Sequence, residues 1–462
     1  MVSIVDESYE QPARKPRVIV IGAGFAGLKL VKGLSRADCE ILLFDRHNYH
    51  LFQPLLYQVA SAALSPGDIA YPIRRIFRDQ KNCEVVLGEI TNIDLNHRWI
   101  QTSEGEQLHY DYLAVAVGST HSYFGKPEWA ARAPGLKTVD DATEIRRRVL
   151  LAFEGAEQEG DDHARRAKLT FVVIGGGPTG VEMAGALREI AANDIPKDFR
   201  FIDTTTSRII LLQGGDRLLP SMHPILSKRA KDDLESMGVE VRLGARVTNI
   251  DAEAVWIGNE RLPAQNVIWA AGVEGHPVAR TLGAALDKSG RVIVKGDLSV
   301  PDHPEVFVIG DAAAAVDSDT QKPVPGLAPA AMQMGQFVAR LIRDELSFGR
   351  IGDRPAFNFI DKGTMATIGK ARAVADIQGV RFGGFIAWLM WGLIHIMFLI
   401  GHRSKFFVMI QWTMEYVLGS RAVRLITGKP EVNVETPRLE TEDRAEAAMD
   451  FLTAGDDLKP AS

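Results

Sequence analysis

Two stretches of this chain carry the same alternation of apolar and small residues. In RVIVIGAGFAGLKLVKGL, from Arg17, and LTFVVIGGGPTGVEMAGAL, from Leu169, a run of β-branched residues ends in glycines and apolar residues then recur at helical spacing. Each predicts a buried strand, a tight turn and an amphipathic helix. The turns fit G-x-G-x-x-G through Gly22, Gly24 and Gly27, and through Gly175, Gly177 and Gly180. The first glycine makes the turn, the second admits a pyrophosphate to the backbone, and the third lets helix pack on strand. Phe25 and Ala26 complete one cradle, Pro178 and Thr179 the other. Phosphates rest on unpaired N–H groups where such a helix begins. Two dinucleotide cradles in one chain imply electrons passing from one nucleotide to another.

The pattern continues around both turns. EILLFD is a buried strand ending at Asp45, where a carboxylate can accept hydrogen bonds from an adenosine ribose. YDYLAVAVGS reads as another, closing on Gly118. TEIRRRVLLAFEGAEQEGDDHARRAK reads as a solvated helix leading to a second α/β unit with strands RIILLQ, VEVRL and NVIWAAGV, the last closing on Gly272. VFVIGDAAA, a buried strand ending on Asp311, and the helix PAAMQMGQFVARLIRDEL come next.

Beyond these the character changes. FIAWLMWGLIHIMFLIG, residues 385–401, is apolar apart from His395. As one helix it would reach roughly 26 Å at ~1.5 Å per residue, a little short of a roughly 30 Å hydrocarbon core. Basic residues flank it, and KFFVMIQWTMEYVL lies just beyond. An interfacial membrane anchor, a buried dimer or core helix, and a true span all remain open, with the boundary-seeking Trp and basic residues favouring the anchor. Residues 1–15 read as a loose arm, and residues 431–462, acidic and poor in large apolar groups, as a disordered tail.

Composition narrows the classes. A chain of 462 residues allows two or three domains, and a formal net charge of −6 argues against nucleic acid as a partner. The two cysteines, Cys39 and Cys83, form no CxxC pair or metal spacing, so no metal is expected and a reducing compartment fits. The N-terminal residues lack an apolar run, so no secretory signal is read and the catalytic part is expected in the cytoplasm.

At NYHLFQPLLYQVASAALSP, residues 48–66, the chain resembles the type II NADH dehydrogenases, single-subunit flavoproteins that oxidise NADH and reduce membrane quinone without pumping protons. The resemblance runs from about Arg17 to Gly428, with further anchors in IGGGPTGVEMAGAL, VFVIGDAAA, GTMATIGKARAVA at residues 363–375, and the hydrophobic C-terminal stretch. It implies an α/β fold of two Rossmann-like dinucleotide-binding domains plus a membrane-associating helical extension. FAD would occupy residues 16–125 and 290–345, NAD(P)H an inserted domain at 126–289, and residues 346–430 would form the membrane or dimer region. Asp311 would bond the ribityl chain of FAD. Glu182 would lie by the nicotinamide–flavin stack, orienting the carboxamide or relaying protons. Gln53 is a candidate for the isoalloxazine or quinone channel, with a structural loop role equally open. The implied partners are quinone and the bilayer surface at residues 385–418, on the cytoplasmic face, with a homodimer as a further option.

Two departures from the family pattern stand out. Gln213 ends RIILLQ where NADH-preferring relatives carry an acid; it removes repulsion of a 2′-phosphate, and Arg217 lies close in sequence. NADH with relaxed selectivity, NADPH also being admitted, is the expectation. In LAPAAMQMG, residues 327–335, Ala328-Pro329 replaces the Ala-Gln pair that lines the relatives' quinone site. Pro329, Met332 and Gln333 remain quinone candidates, with packing as their alternative. Missing cysteine pairs exclude dithiol reductases and sulfide:quinone oxidoreductases, and a cysteine-free LFQP region excludes water-forming NADH oxidases. A soluble ferredoxin-reductase-like enzyme and an NAD(P)H-sensing flavoprotein with a non-quinone acceptor stay as alternatives.

Overall fold

The structure, a computed structural model, describes residues 14–349, 352–418 and 423–428. Residues 1–13 of the loose arm and the acidic tail, residues 431–462, lie outside the described residues, while Arg14 and Lys15 pair with Asp111 and Asp38. The elements named below all belong to the unit that ends at Ile426.

The first glycine turn joins strand β1 (Arg17–Ile21) to helix α1 (Phe25–Gly33), and β2 (Glu40–Asp45), β3 (Cys83–Leu87) and β4 (Tyr112–Val115) come after it. The chain then enters helix α2 (Val139–Glu157) and the second turn, with β5 (Thr170–Ile174), α3 (Pro178–Glu189), β6 (Arg208–Gln213), β7 (Val239–Leu243) and β8 (Asn266–Trp269). It returns through β9 (Ser299–Val300) and β10 (His303–Val308) to helix α4 (Ala328–Phe348). A three-stranded meander, β11 (Thr364–Gly369), β12 (Arg372–Ile377) and β13 (Val380–Gly383), precedes α5 (Phe385–Phe398) and α6 (His402–Leu418).

Sheet order shows how the second unit is inserted into the first. One sheet runs β9-β10-β4-β1-β2-β3, so strands from both ends of the insertion pair side by side, parallel except at β9. The other runs β7-β6-β5-β8, all parallel. Strands buried on both faces explain the continuous apolar runs, as in Val18–Val20 and Phe171–Val173, all 0% exposed. Between the units, the short strands Ser119–His121 and Val273–Gly275 pair antiparallel.

Two expectations change. The stretch read as a solvated helix is two helices, α2 and Asp162–Lys168, and α2 buries Ile145, Val149, Phe153 and even Arg146. Thr138 and Asp141 cap α2 reciprocally, which fixes its start. The apolar stretch 385–401 is a helix only to Phe398: Leu399 is extended and Gly401 has φ +88°. Its 14 residues give roughly 21 Å, and no helix among the described residues is long and apolar enough to cross a membrane.

Candidate active site

Both glycine turns are built alike. Gly22 and Gly175 have φ +101° and +113°, which the turn requires and a side chain would resist. A Cβ on Gly27 would stand 1.9 Å from the Gly22 carbonyl oxygen, and one on Gly180 would stand 1.8 Å from that of Gly175. Gly24 and Gly177 cap α1 and α3 in extended backbone with no side-chain cap and no acidic residue in the first turn. A Cβ at either would meet nothing within 4 Å. Open space over uncapped helix N–H groups suits a pyrophosphate, so both cradles fit the groups that the sequence implies. Phe25 is half-buried and Ala26 buried in the first turn, whereas Pro178 and Thr179 are exposed in the second.

The residue ending the second strand of each unit braces its own turn. Asp45 accepts the Ala23 N–H at 2.7 Å and the His47 N–H at 2.8 Å. Gln213 accepts the Gly176 N–H at 2.9 Å and donates to the Arg217 carbonyl at 3.3 Å. Arg217 itself turns to the Pro220 carbonyl, 2.8 Å away. Both braces leave acceptor capacity for ribose hydroxyls. His50, absent from the sequence candidates, is 3% exposed and sits 2.8 Å from the Ala23 carbonyl through Nδ1. A carbonyl only accepts, so Nδ1 bears the proton; burial holds the ring below its ordinary pKa. Its Nε2 is buried without a protein partner among the described residues.

The carboxyl edge of the first sheet holds a second cluster. Gly118, with φ +72°, follows β4, and Asp311 follows β10 on the next strand. The Ser119 hydroxyl donates to Asp311 at 3.0 Å and accepts from the Lys137 ammonium at 2.6 Å. Gln53, exposed, donates to the Lys137 carbonyl at 3.2 Å. Neither Ser119 nor Lys137 carries a motif of its own; the Thr138–Asp141 capping pair marks only where α2 begins. Gly272 packs under Phe124, whose ring lies 2.8 Å from where a Cβ would be.

Glu182 lies on the seam between α3 and β11. Its carboxylate accepts the Thr367 N–H, Gly185 approaches the Ile368 carbonyl within 1.7 Å of a notional Cβ, and Glu189 accepts the Lys370 N–H. Half-buried there, the Glu182 carboxyl is pushed up to about 8 by desolvation, with the Thr367 bond opposing. Gln333, offered as a quinone candidate with packing as the alternative, is tied to a neighbouring segment. Its amide is matched to Ile360, donating to the carbonyl and accepting the N–H, both at 3.0 Å. Pro329 sits in the first turn of α4, where a missing N–H costs nothing, and Met332 is half-buried one turn on. The sulfur of its neighbour Met334 accepts the Gly310 N–H, tying α4 to the Asp311 turn.

An aromatic row leads from this edge to the C-terminal helices. Phe25 packs edge-on against Phe52 at 5.9 Å, and Phe52 against His395 at 6.1 Å. His395 stacks on Trp391 at 4.3 Å, and Trp391 meets Trp412 at 5.5 Å. Burial lowers His395 to about 4, so it is neutral. Buried Gln58 accepts from the Trp412 indole N–H at 2.7 Å and donates to the Tyr57 hydroxyl at 2.9 Å. Away from this row, α5 and α6 expose Phe385, Ile386, Leu389, Leu393, Met397, Phe406, Phe407 and Met414.

Comparison with known proteins agrees with this geometry. Residues 16–335 match the family model for pyridine nucleotide-disulphide oxidoreductases, and residues 362–421 match the NDH2 C-terminal domain. The chain is 41% identical over 468 aligned positions to the type II NADH:quinone oxidoreductase Ndh of Mycobacterium tuberculosis, covering 99% of each chain. It is 41% identical to NdhA of the same organism over 89% of this chain and 90% of that one. The solved structure of NDH2 from Plasmodium falciparum in complex with NADH superposes with a TM-score of 0.79 at 20% identity, over 90% of this chain and 100% of that chain. Paired glycine cradles, a nested two-sheet fold and full-length identity lead to one conclusion: this chain belongs to the type II NADH:quinone oxidoreductases, within the pyridine nucleotide-disulphide oxidoreductase family.

Proposed function

We infer that the protein oxidises NADH and reduces a quinone through FAD, without moving charge across the bilayer. The observation that carries this reading is the pair of matched cradles in one chain, joined to a C-terminal region of the NDH2 type. FAD, when bound, would supply the two-electron redox chemistry that links NADH to quinone.

The chain's own residues hold and shield that cofactor. Residues 16–125 and 290–345 form the FAD domain in this reading, and residues 126–289 the nicotinamide domain. The Gly24 end of α1 receives the pyrophosphate, Asp45 the adenosine ribose, and Asp311 the ribityl hydroxyls, with Gly118 giving the cofactor close access to the backbone. The uncapped N-terminus of α4, tied to the Asp311 turn, would offer its positive dipole end to a bound flavin. In the nicotinamide domain Gly177 and Gly180 admit the second pyrophosphate, and Gln213 meets the adenosine ribose. Gln213 is already braced by Gly176 and Arg217, and Arg217 turns to Pro220, which supports NADH as the main donor with NADPH accepted more weakly.

Glu182 holds a proton at neutral pH and presents it at the α3–β11 seam, either to the carboxamide or to the reduced acceptor. Quinone approaches past the segment of residues 50–60, with Met332 and Pro329 as apolar walls. Gln333 acts there by fixing Ile360 rather than by touching the head group. The exposed apolar faces of α5 and α6, with Arg403 and Lys405 beside them, lie on the cytoplasmic face of a membrane as an interfacial anchor. Pairing of two copies through the same helices is the competing use of that surface, and vesicle flotation against sedimentation without lipid separates the two.

The test is side-by-side oxidation of NADH and NADPH by the detergent-purified yellow protein with a short-chain ubiquinone. Quinone-dependent turnover with NADH ahead of NADPH is expected. Flavin reduction without quinone turnover would point to another acceptor and sink the quinone assignment.

A further inference from the structure

Carboxyl ends along the first sheet run in the order Asp45 on β2, Gly22 on β1, Gly118 on β4 and Asp311 on β10. Adjacent strands are about 4.8 Å apart. A dinucleotide laid along this edge with its ribose at Asp45 and its pyrophosphate at Gly24 therefore brings its ribityl–flavin half to β4 and β10. A cation stands there. Lys137 comes from the crossing into the nicotinamide unit, just ahead of α2, yet its ammonium reaches back to the FAD sheet. It is 3.9 Å from the Asp311 carboxylate and hydrogen-bonded to Ser119, which is bonded to the same carboxylate oxygen.

Lys137 is held at every polar group it owns. Its backbone N–H donates to Asp141 at 2.9 Å, its carbonyl accepts from Gln53 at 3.2 Å, and its side chain is only 18% exposed. Burial lowers its pKa and Asp311 opposes that effect. Surface lysines that merely solvate a fold are not fixed this way, because a mobile ammonium keeps its water and its side-chain entropy. The Ser119 bond uses one of three ammonium donors, and others remain for a ligand.

We propose that Lys137 is a charge-supplying positioning residue of the flavin site: it orients Asp311 through Ser119 and places a positive charge beside the flavin. This rests on the FAD assignment above. Hydride arrival adds two electrons and one proton, hence one net negative charge, to the flavin. A preorganised cation at the ribityl end stabilises that charge without rearrangement. Lys137 thereby raises both the affinity for FAD and its two-electron reduction potential, and couples them to the crossing between the two units.

The experiment is spectroelectrochemical titration of the purified holoprotein, with FAD kept in excess, in wild type, Lys137→Met and Lys137→Arg. Lys137→Met is expected to shift the reduction equilibrium about tenfold toward oxidised flavin, about 30 mV lower for two electrons, and to weaken FAD binding by fluorescence titration. Lys137→Arg keeps the charge and is expected to stay within threefold of wild type in both. If Lys137→Met does not accumulate, Lys137→Gln carries the same expectation, since it keeps a donor for Ser119 and loses the charge. An unchanged potential in the neutral variants overturns the proposal, because a lysine that only ties the two units together would leave the potential where it was. A shifted potential in a protein without quinone turnover would leave Lys137's role standing and overturn the quinone reading instead.

Discussion

The two glycine turns superimpose in logic and diverge at their rims. Each needs a first glycine at positive φ, a third glycine under 2 Å from a carbonyl oxygen for any added Cβ, and an uncapped helix start. Around the first turn the chain closes in. Asp45 braces Ala23 with a charged acceptor, buried His50 packs on Phe25 at 5.1 Å, and α4 crosses α1 so tightly that a Cβ on Gly335 would stand 2.1 Å from the Ala26 oxygen. Around the second turn Pro178 and Thr179 lie exposed, and neutral Gln213 does the bracing. A walled cradle suits a cofactor that stays; an open one suits a nucleotide that must leave after each turnover. In the proposed reading the glycines admit a dinucleotide, and their neighbours distinguish a closed rim from an open one.

That contrast can be broken most sharply at the third glycines. Gly27→Ala is expected to yield colourless protein, or FAD binding weaker by about a hundredfold, the scale of overpacking against backbone. Gly180→Ala is expected to keep its flavin and lose about a hundredfold in kcat/KM for NADH. Absorbance at the flavin maximum and steady-state kinetics read the two outcomes; loss of flavin from the Gly180 variant would deny the division of labour. Next in size is Asp311→Ala, expected to lose most of its FAD on purification by leaving Ser119 and Lys137 without their acceptor. A stoichiometric holoprotein would remove Asp311 from the ribityl site.

Gln213→Glu should sharpen the second rim. It keeps an acceptor for Gly176 and adds repulsion of a 2′-phosphate, so the NADH-to-NADPH ratio of kcat/KM should rise about tenfold; an unchanged ratio would take Gln213 out of the choice. The smallest effect is a pH dependence at Glu182. Unfolded, its carboxyl ionises near 4.5; folded, near 8. Between those values the folded state keeps a proton that the unfolded state has lost, so stability falls as pH rises through this window. Glu182→Gln lacks that slope, and its melting temperature should gain about 2 °C on wild type between pH 5 and 8. Parallel melting curves across that range would show that the carboxyl is not held neutral.

Legibility in the sequence tracks chain-local constraint. A glycine turn between strand and helix is written within a few residues, so both cradles and Asp45 could be read directly, while the nesting of one unit in the other came only with the family resemblance. Lys137 could not be, because its meaning depends on residues 119, 137 and 311 meeting on one sheet edge. Gln333 showed the opposite problem: its amide was legible as a candidate, but its bonding to Ile360 arises from a return of the chain 27 residues on. Glu182 was placed by resemblance, while its partner Thr367 lies on a strand that no local pattern joins to α3. In α2 a buried stripe was hidden among charges, and in residues 385–401 the helix end at Leu399 was hidden because the breaking residues are themselves apolar.

The central claim is that a retained flavin stands between an exchanging nicotinamide nucleotide and a quinone. Anaerobic stopped-flow mixing tests it most directly, with NADH added first and a short-chain ubiquinone second, while flavin absorbance is followed. Rapid bleaching whose rate saturates with NADH, then full recovery on quinone addition, is the predicted result. A flavin that NADH fails to bleach, or that stays bleached in the presence of quinone, would contradict it.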